Sequence, residues 1–439
     1  MTRRSWLPLL LCASALAGQA VRPLTILHSN DLHARLSPEE DRGGFARLAT
    51  AVKKEKANCA ACLYLNAGDM VQGTPVSTLF HGRPVYEIAN LLGLDAGTLG
   101  NHEFDYGWRR VREFARIAKF PIVSANVVNA KGESITGAPY VIKTVGGIRV
   151  AIIGAVLGDL SGNSVTPEQV GPWQVLPVVE TVRKQAQALR AESDLVVVLG
   201  HIHDQGEVDA ILRGVPEVSV VVAGHNHVAY PAMMNVDGRV AVLVNSYGAE
   251  LGRLDLAVDL TAKKLNSAAW KTIPIDGKYA DDPAVKRLVD SWEKKVGKVV
   301  DVPIGESTMR MERDDPLLRT MIERAMAEQT GADIAWVALG NIRYSLPRGR
   351  LLARDIWKIL PFDDFLAIGT FKGSQLPPAI TDRYPVEADR QYTVAVTDFS
   401  VMNQPAKNQL GVTGLRFSRT GPLQRDAMIE WIKKKKVIP

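Results

Sequence analysis

The chain has 439 residues, 46% of them hydrophobic and 23% charged, with a formal net charge of +6. That length exceeds what one ordinary core fills, so two domains are expected, and the composition is that of a globular rather than a disordered protein. Lys and Arg are scattered, with no arginine-rich arm and no recognisable nucleic-acid module, so the mild positive charge favours small anionic ligands over nucleic acid.

Residues 1–20 read as a cleavable export signal. Arg3 and Arg4 are charged, 6–16 are apolar, and small residues suited to cleavage stand at 15–17 and 18–20. The apolar run is shorter than the ~20 residues that cross a bilayer, and no later run is long enough. A periplasmic or secreted location, with no membrane span after cleavage, is therefore expected. Of the three cysteines, Cys12 would leave with the signal. Cys59 and Cys62 precede a strand, the wrong order for a thioredoxin-like pair, and they form half a zinc knuckle without its other half. A local disulfide is the expected state.

From 24 to about 259, short apolar runs alternate with helical spacings. Buried strands are expected at 24–28, 63–66, 96–99, 122–125, 150–154, 195–199 and 218–222, and helices at 44–56, 85–92, 106–118 and 178–191. Such alternation argues for a layered α/β domain. Strands at 239–244 and 253–258 have no helix between them, which suggests that the sheet finishes antiparallel. A charged amphipathic run at 281–298 reads as a joining helix, giving boundaries at 21–277 for a first domain, 278–300 for a linker helix and 301–439 for a second domain. The second domain has a helix near 317–329 and strands at 334–338, 365–371 and 392–396. The basic run 433–436 reads as the solvated end of a C-terminal helix.

All eight histidines fall in the first domain. Asp31-Leu32-His33, Gly68-Asp69, Gly100-Asn101-His102-Glu103, His201 and Gly224-His225-Asn226-His227 each follow an expected strand. Loops at strand C-terminal ends are where an α/β sheet places a binding site. Two close divalent ions need a bridging anion, and a mixture of Asp, His and Asn suits Zn²⁺, Mn²⁺ or Fe better than Mg²⁺ or Ca²⁺. Such a pair clamps phosphoryl oxygens and turns bound water into a hydroxide nucleophile. His28, inside an apolar strand, reads as a core or supporting residue. His81 reads as exposed, and His203 competes with His201 as a ligand.

In that order, these motifs resemble the calcineurin-like metallophosphoesterase superfamily. The strings Ile26-Leu27-His28-Ser29-Asn30-Asp31 and Gly100-Asn101-His102-Glu103-Phe104-Asp105-Tyr106-Gly107 resemble, more narrowly, its 5′-nucleotidase family. The resemblance implies an α/β metallophosphoesterase β-sandwich with flanking helices, plus a smaller α+β C-terminal domain. It implies that Asp31, His33, Asp69 and His227 hold one metal, with Asp69 bridging, and that Asn101, His201 and His225 complete the other. The cofactors would be two divalent ions (Zn, Mn, Fe or Co). His102 would donate to the phosphoryl oxygen in the transition state, oriented by Asp105. A carboxylate at 105 favours the nucleotidase branch over the cyclic-nucleotide phosphodiesterase branch.

In the second domain, Gly340-Asn341-Ile342-Arg343, Ile359-Leu360-Pro361-Phe362 and Asp398-Phe399 resemble the substrate-binding part of 5′-nucleotidases. The resemblance makes Arg343, Phe362 and Phe399 substrate-binding residues, the two rings stacking on a base for about 1–3 kcal/mol each; read alone, each ring is an ordinary core aromatic. The pattern also departs from the family. Ala338, Asn341, Leu318-Arg319-Thr320 and Asn403-Gln404-Pro405 stand where family motifs are expected, and the chain between Gln375 and Tyr392 is short. The implied activity is hydrolysis of nucleoside 5′-monophosphates or related small phosphates. Cyclic nucleotides, UDP-sugars, a thiosulfate ester, or nucleotide binding without turnover are the alternatives.

Overall fold

The computed structural model describes residues 21–160, 165–402, 409–411 and 415–439. The expected export signal and the Asn403-Gln404-Pro405 departure lie outside the described residues.

Two six-stranded sheets make the first domain. One runs in the order Lys264–Pro274, Glu250–Asp259, Val21–Ser29, Cys62–Asn66, Ala96–Thr98, Ile122–Val123. The other runs Met234–Val236, Arg239–Val242, Val220–Gly224, Leu195–His201, Ile148–Val156, Tyr140–Val145. Alternate side chains of both sheets meet in a shared core: Leu24 and Ile26 from one, Ile152, Val197 and Leu199 from the other. The opposite faces are buried as well. Leu27 and Tyr64 pack beneath the helices Phe45–Ala57, Arg83–Ala89 and Trp108–Ile117, and Val196 and Val198 pack beneath Val178–Leu189 and Asp209–Gly214. Burial on both faces is why these strands read as unbroken apolar runs. The result is a four-layer α/β sandwich.

Several expectations shift. The strand expected at 122–125 shortens to Ile122–Val123, and that at 218–222 moves to Val220–Gly224. Arg239–Val242 pairs parallel to Val220–Gly224 in the second sheet and antiparallel to the edge strand Met234–Val236, while Glu250–Asp259 lies antiparallel between Val21–Ser29 and Lys264–Pro274 in the first, so the expected antiparallel finish is divided between two sheets. The edge strands Tyr140–Val145 and Lys264–Pro274 escape the sequence reading because they are partly exposed and mix polar with apolar residues. Cys59 and Cys62 are joined as the expected disulfide. Lys433 to Lys435 occupy the last turn of the helix Gln424–Lys435 rather than following it, and Lys435 pairs with Glu328 at 3.1 Å.

The joining helix is Pro283–Val300. Val285, Val289 and Val296 face the core beneath Phe45–Ala57. A smaller α+β region follows. A four-stranded sheet (Ile334–Ala335, Gln391–Thr397, Phe365–Lys372, Ser418–Leu423) and a three-stranded one (Gly349–Leu352, Pro303–Ser307, Val437–Ile438) pack on the helices Pro316–Thr330, Ala353–Ile359 and Gln424–Lys435. The Arg35 guanidinium fastens the two halves together, lying 3.4 Å from the Tyr247 ring centre and 4.0 Å from that of Tyr344. Burial lowers this arginine to about 10. Thr78 donates to the Pro361 carbonyl across the same boundary.

Asp282 caps the joining helix by accepting from the Ala284 and Val285 amides at 3.0 Å, and it pairs with Lys53. Burial alone would raise this carboxyl, but Lys53 and the two amides hold it below the ordinary value. A depressed folded-state pKa gives stability that is present above the unfolded value of ~3.9 and lost as pH falls through the lower folded value. Asp282→Ala is expected to cost about 1 kcal/mol at pH 7 in urea unfolding, the gap closing in acid.

Candidate metal centre and active site

The candidate residues gather where the C-terminal ends of both sheets' central strands meet. Asp31 and His33 follow Val21–Ser29, Asp69 follows Cys62–Asn66, and Asn101 and His102 follow Ala96–Thr98. His201 ends Leu195–His201, and His225 and His227 follow Val220–Gly224. The turns are tight. Asp31, His33, Asp69, His225 and His227 all hold positive φ, between 47° and 91°, a conformation that L-residues adopt at a cost and that clusters at functional sites. Glycine is obligatory beside them. A Cβ on Gly100 would lie 2.1 Å from Asp69 Oδ1, and one on Gly224 would lie 2.4 Å from the Ala67 carbonyl oxygen.

One set of donors is Asp31, His33, Asp69 and His227, whose ligand atoms all lie within 4.8 Å of one another. His33 Nε2 is 3.0 Å from His227 Nε2, 3.9 Å from Asp31 Oδ1 and 3.8 Å from Asp69 Oδ2. Two imidazole nitrogens that close need a proton or a cation between them. On the other side of Asp69 stands a second set. His201 Nε2 is 3.1 Å from Asp69 Oδ2 and 3.1 Å from Asn101 Oδ1, while His201 Nδ1 lies 2.9 Å from the Ala67 carbonyl. The His225 ring stands edge-on to His201 at 5.2 Å, and its backbone N–H donates to Asp31 Oδ2. A single carboxylate, Asp69, thus faces both groups.

The charge states suit a metal. Burial alone would raise both carboxyls, yet the neighbouring imidazoles, His201 foremost, hold Asp31 below and Asp69 well below the ordinary value. Burial takes His33 well below its usual value and, with His201, takes His225 down to about 4, so both are neutral with lone pairs free. Burial also opposes charge on His201, but Asp69 and Asp31 outweigh it and push that imidazole up to about 10. A divalent cation among the same lone pairs would replace that proton. Asp31 Oδ1 is fully buried and, although 3.3 Å from His227 Nε2, makes no hydrogen bond, so its lone pairs are available to a cation. The donor set fits a divalent ion.

Beside this centre, His102 Nδ1 and Asp105 Oδ2 are 2.9 Å apart, and the His102 backbone N–H donates to Asp69 Oδ1. Burial would lower His102, but Asp105 and Asp69 carry it above its ordinary value. Its ring lies 5.9 Å from that of Phe362, and the Arg343 guanidinium lies 6.0 Å from the same phenyl. His102, Arg343, Phe362 and Phe399 share the wall of one cavity of about 340 Å³. A second, wider cleft of about 1240 Å³ opens on the other side of Asn101, His102, His225 and Arg343.

The remaining histidines stand apart. His28 is buried, lowered by that burial to about 3, and accepts from Trp270 Nε1. His81 is exposed beside Arg110. His203 Nε2 meets Asp159 Oδ1 at 2.9 Å, with its ring edge-on to His225.

The sequence reading missed three supporting residues. Glu103 is fully buried and accepts from the backbone N–H groups of Gly100, Asp69 and Met70 at 2.6, 3.0 and 2.9 Å, so one carboxylate ties the loop of Asp69 to that of Asn101. Burial and the Asp69 charge push it up to about 7. Asn30 donates to Asp31 Oδ2 and is itself anchored on Val244. The Tyr247 hydroxyl reaches His227 Nδ1 at 3.4 Å. Asn30 and Glu103 sit inside the motifs already quoted, but nothing in their spacing tells which distant amides they meet.

A sequence model of the calcineurin-like phosphoesterases matches residues 24–229, and one of the 5′-nucleotidase C-terminal domain matches 295–384. The chain belongs to the calcineurin-like phosphoesterase family and carries a 5′-nucleotidase C-terminal domain. Among curated relatives it is 27% identical over 495 residues to "Endonuclease YhcR" of Bacillus subtilis, covering 95% of this chain and 40% of that protein. It is 32% identical over 337 residues to a snake venom 5′-nucleotidase of Gloydius brevicauda, covering 67% and 55%. The chain thus spans less than two thirds of either relative's length. The crystal structure of a 5′-nucleotidase precursor from Thermus thermophilus superposes with a TM-score of 0.84 at 24% identity, covering 95% of this chain and 97% of that one. That likeness establishes the fold of this phosphoesterase-family chain over both of its parts.

Glu103→Gln turns one oxygen that faces backbone donors into an amide that is itself a donor. Above pH 7, where this carboxyl is ionised, the change is expected to lower stability in urea unfolding by ~1.5–3 kcal/mol, the range for hydrogen bonds to a charged group. An unchanged midpoint would mean that the carboxylate does not hold the two loops.

Proposed function

We propose that this protein is a two-metal phosphomonoesterase that hydrolyses nucleoside 5′-monophosphates or closely related small phosphates. One observation carries the reading: Asp69 Oδ2 faces His33 on one side and His201 on the other, at 3.8 and 3.1 Å, so two donor sets share one carboxylate. Asp31, His33, Asp69 and His227 would hold one ion; Asn101, His201 and His225, with Asp69, would hold the second. When bound, such a pair supplies Lewis-acid polarisation of the phosphoryl group and lowers the pKa of the attacking water.

The chain's own residues supply the rest. Asp105 takes the Nδ1 side of His102, which fixes the ring and leaves Nε2 to donate to a phosphoryl oxygen as negative charge builds there. Arg343 brings a second cation to the same cavity. The Phe362 and Phe399 rings offer apolar surface to a base, and the catalytic domain and the C-terminal domain must meet for both ends of a nucleotide to be held together. An Arg35 clamped between tyrosines from the two parts keeps that meeting in register. Export is part of the same reading. Residues 1–20 have the composition of a signal, the Cys59–Cys62 disulfide suits an oxidising compartment, and no helix among the described residues is long and apolar enough to cross a membrane.

The test is phosphate release from a panel of nucleoside 5′-monophosphates with Mn²⁺, Zn²⁺ or Co²⁺ present. Turnover is expected with at least one of these metals, to vanish on chelation and to return when metal is added back. Asp69→Asn is expected to be inactive under all three. Full activity in the chelated protein, or in Asp69→Asn, would overturn the reading.

A further inference from the structure

The loop that supplies Asp69 runs on into a glutamine that the proposed chemistry leaves unused. Gln72 is 2% exposed, stands at φ 71°, and is pinned by its backbone N–H, which donates to Ser77 Oγ at 2.9 Å. Its side chain is a different matter. Both Oε1 and Nε2 are buried and neither has a hydrogen-bond partner. The residue lines the 340 Å³ cavity together with His102, Phe362 and Phe399.

The other amides of that wall are satisfied within the protein. Asn341 donates to Asp364, Gln409 donates to Asn341 and accepts from Ser400, and Asn101 Oδ1 meets His201. Among the described residues lining this cavity, Gln72 is the amide with nothing to bond. A buried polar group in that state is costly, and native proteins keep one where something else completes it.

The amide's own chemistry says what completes it. A primary amide presents donors at Nε2 and an acceptor at Oε1. Phosphoryl oxygens only accept, so they would meet Nε2 and leave Oε1 bare. A base edge can offer a donor beside an acceptor, but Gln72 stands only three residues beyond Asp69, toward the phosphate end of the cavity, where the sugar rather than the stacked base would lie. Hydroxyl groups both donate and accept, and a vicinal pair presents both roles at neighbouring atoms, matching both ends of one amide. In a nucleotide, the part that carries such a pair is the sugar, which joins the phosphate to the base.

We propose that Gln72 is a specificity residue that hydrogen-bonds the hydroxyls of the substrate's sugar, so that the site selects ribose over deoxyribose. The inference rests on the nucleotide reading above and deepens it. It asks for no change in the metal centre: Gln72 acts on the organic moiety, three residues beyond Asp69.

The measurement is binding of phosphate-free nucleosides by calorimetry, with adenosine compared to 2′,3′-dideoxyadenosine. The wild-type protein is expected to bind adenosine roughly tenfold more tightly, the effect of about one well-made hydrogen bond. In Gln72→Met, which keeps length but not polarity, adenosine should fall to the dideoxy affinity while dideoxyadenosine stays within about twofold. Gln72→Glu, which keeps an acceptor, should retain part of the preference. Equal affinities in the wild type, an unchanged preference in Gln72→Met, or an equal loss of both nucleosides would each overturn the assignment. Phosphate release from adenosine 5′-monophosphate with added Mn²⁺, Zn²⁺ or Co²⁺ is run beside it. Its absence would refute the phosphoesterase reading on its own, while the nucleoside titration still decides the role of Gln72.

Discussion

Everything at this site follows from burying two carboxylates, Asp31 and Asp69, within reach of the same imidazoles. Both are at most 1% exposed. Two anions that close in a dry pocket repel strongly, and burial penalises each, so the arrangement persists only if positive charge sits between them. The imidazoles offset it in part, which is why His201 is driven up to about 10 while His33 and His225 stay neutral. Divalent ions at the same atoms would complete the balance and turn a costly cluster into an electrophilic one.

The scaffold is arranged to make that cluster possible. Parallel strands of two sheets end together, the loops of Asp31, Asp69 and His225 turn through positive φ, and Glu103 ties the Asp69 and Asn101 loops by their amides. Glycine at 100 and 224 is demanded by the approach of neighbouring chain rather than by local flexibility. Strain in the backbone of these loops is offset by the apolar sandwich behind them, where Leu24, Ile26, Ile152 and Val197 are wholly or almost wholly buried. The C-terminal domain then adds what the first lacks, an arginine and two aromatic rings facing His102 across the domain boundary.

Much of this was legible in the chain. Asp, His and Asn directly after apolar runs, with glycine alongside, marked the loops that the structure brings together, because tight turns restrict neighbours. The layered α/β class followed from alternation. Other features were not legible, for a physical reason. Periodicity says that a strand is buried but not which sheet it joins, so the division into two sheets, and the parallel place of Arg239–Val242, emerged only in three dimensions. Supporting contacts are long-range as well. Glu103 meets amides more than thirty residues away, Asn30 meets Val244, and Arg35 meets Tyr247 and Tyr344, pairings that no local spacing encodes. Nothing in the sequence singles out Gln72, whose burial and unmet amide are visible only in three dimensions.

The central claim is that two donor sets share Asp69. It is tested most directly by counting metal: the protein is loaded with excess Mn²⁺, freed of unbound ion by gel filtration, and its bound metal measured by plasma mass spectrometry. The account predicts two ions per chain in the wild type and at most one in Asp69→Asn. A wild-type protein that binds none, or an Asp69→Asn protein that still binds two, would contradict it.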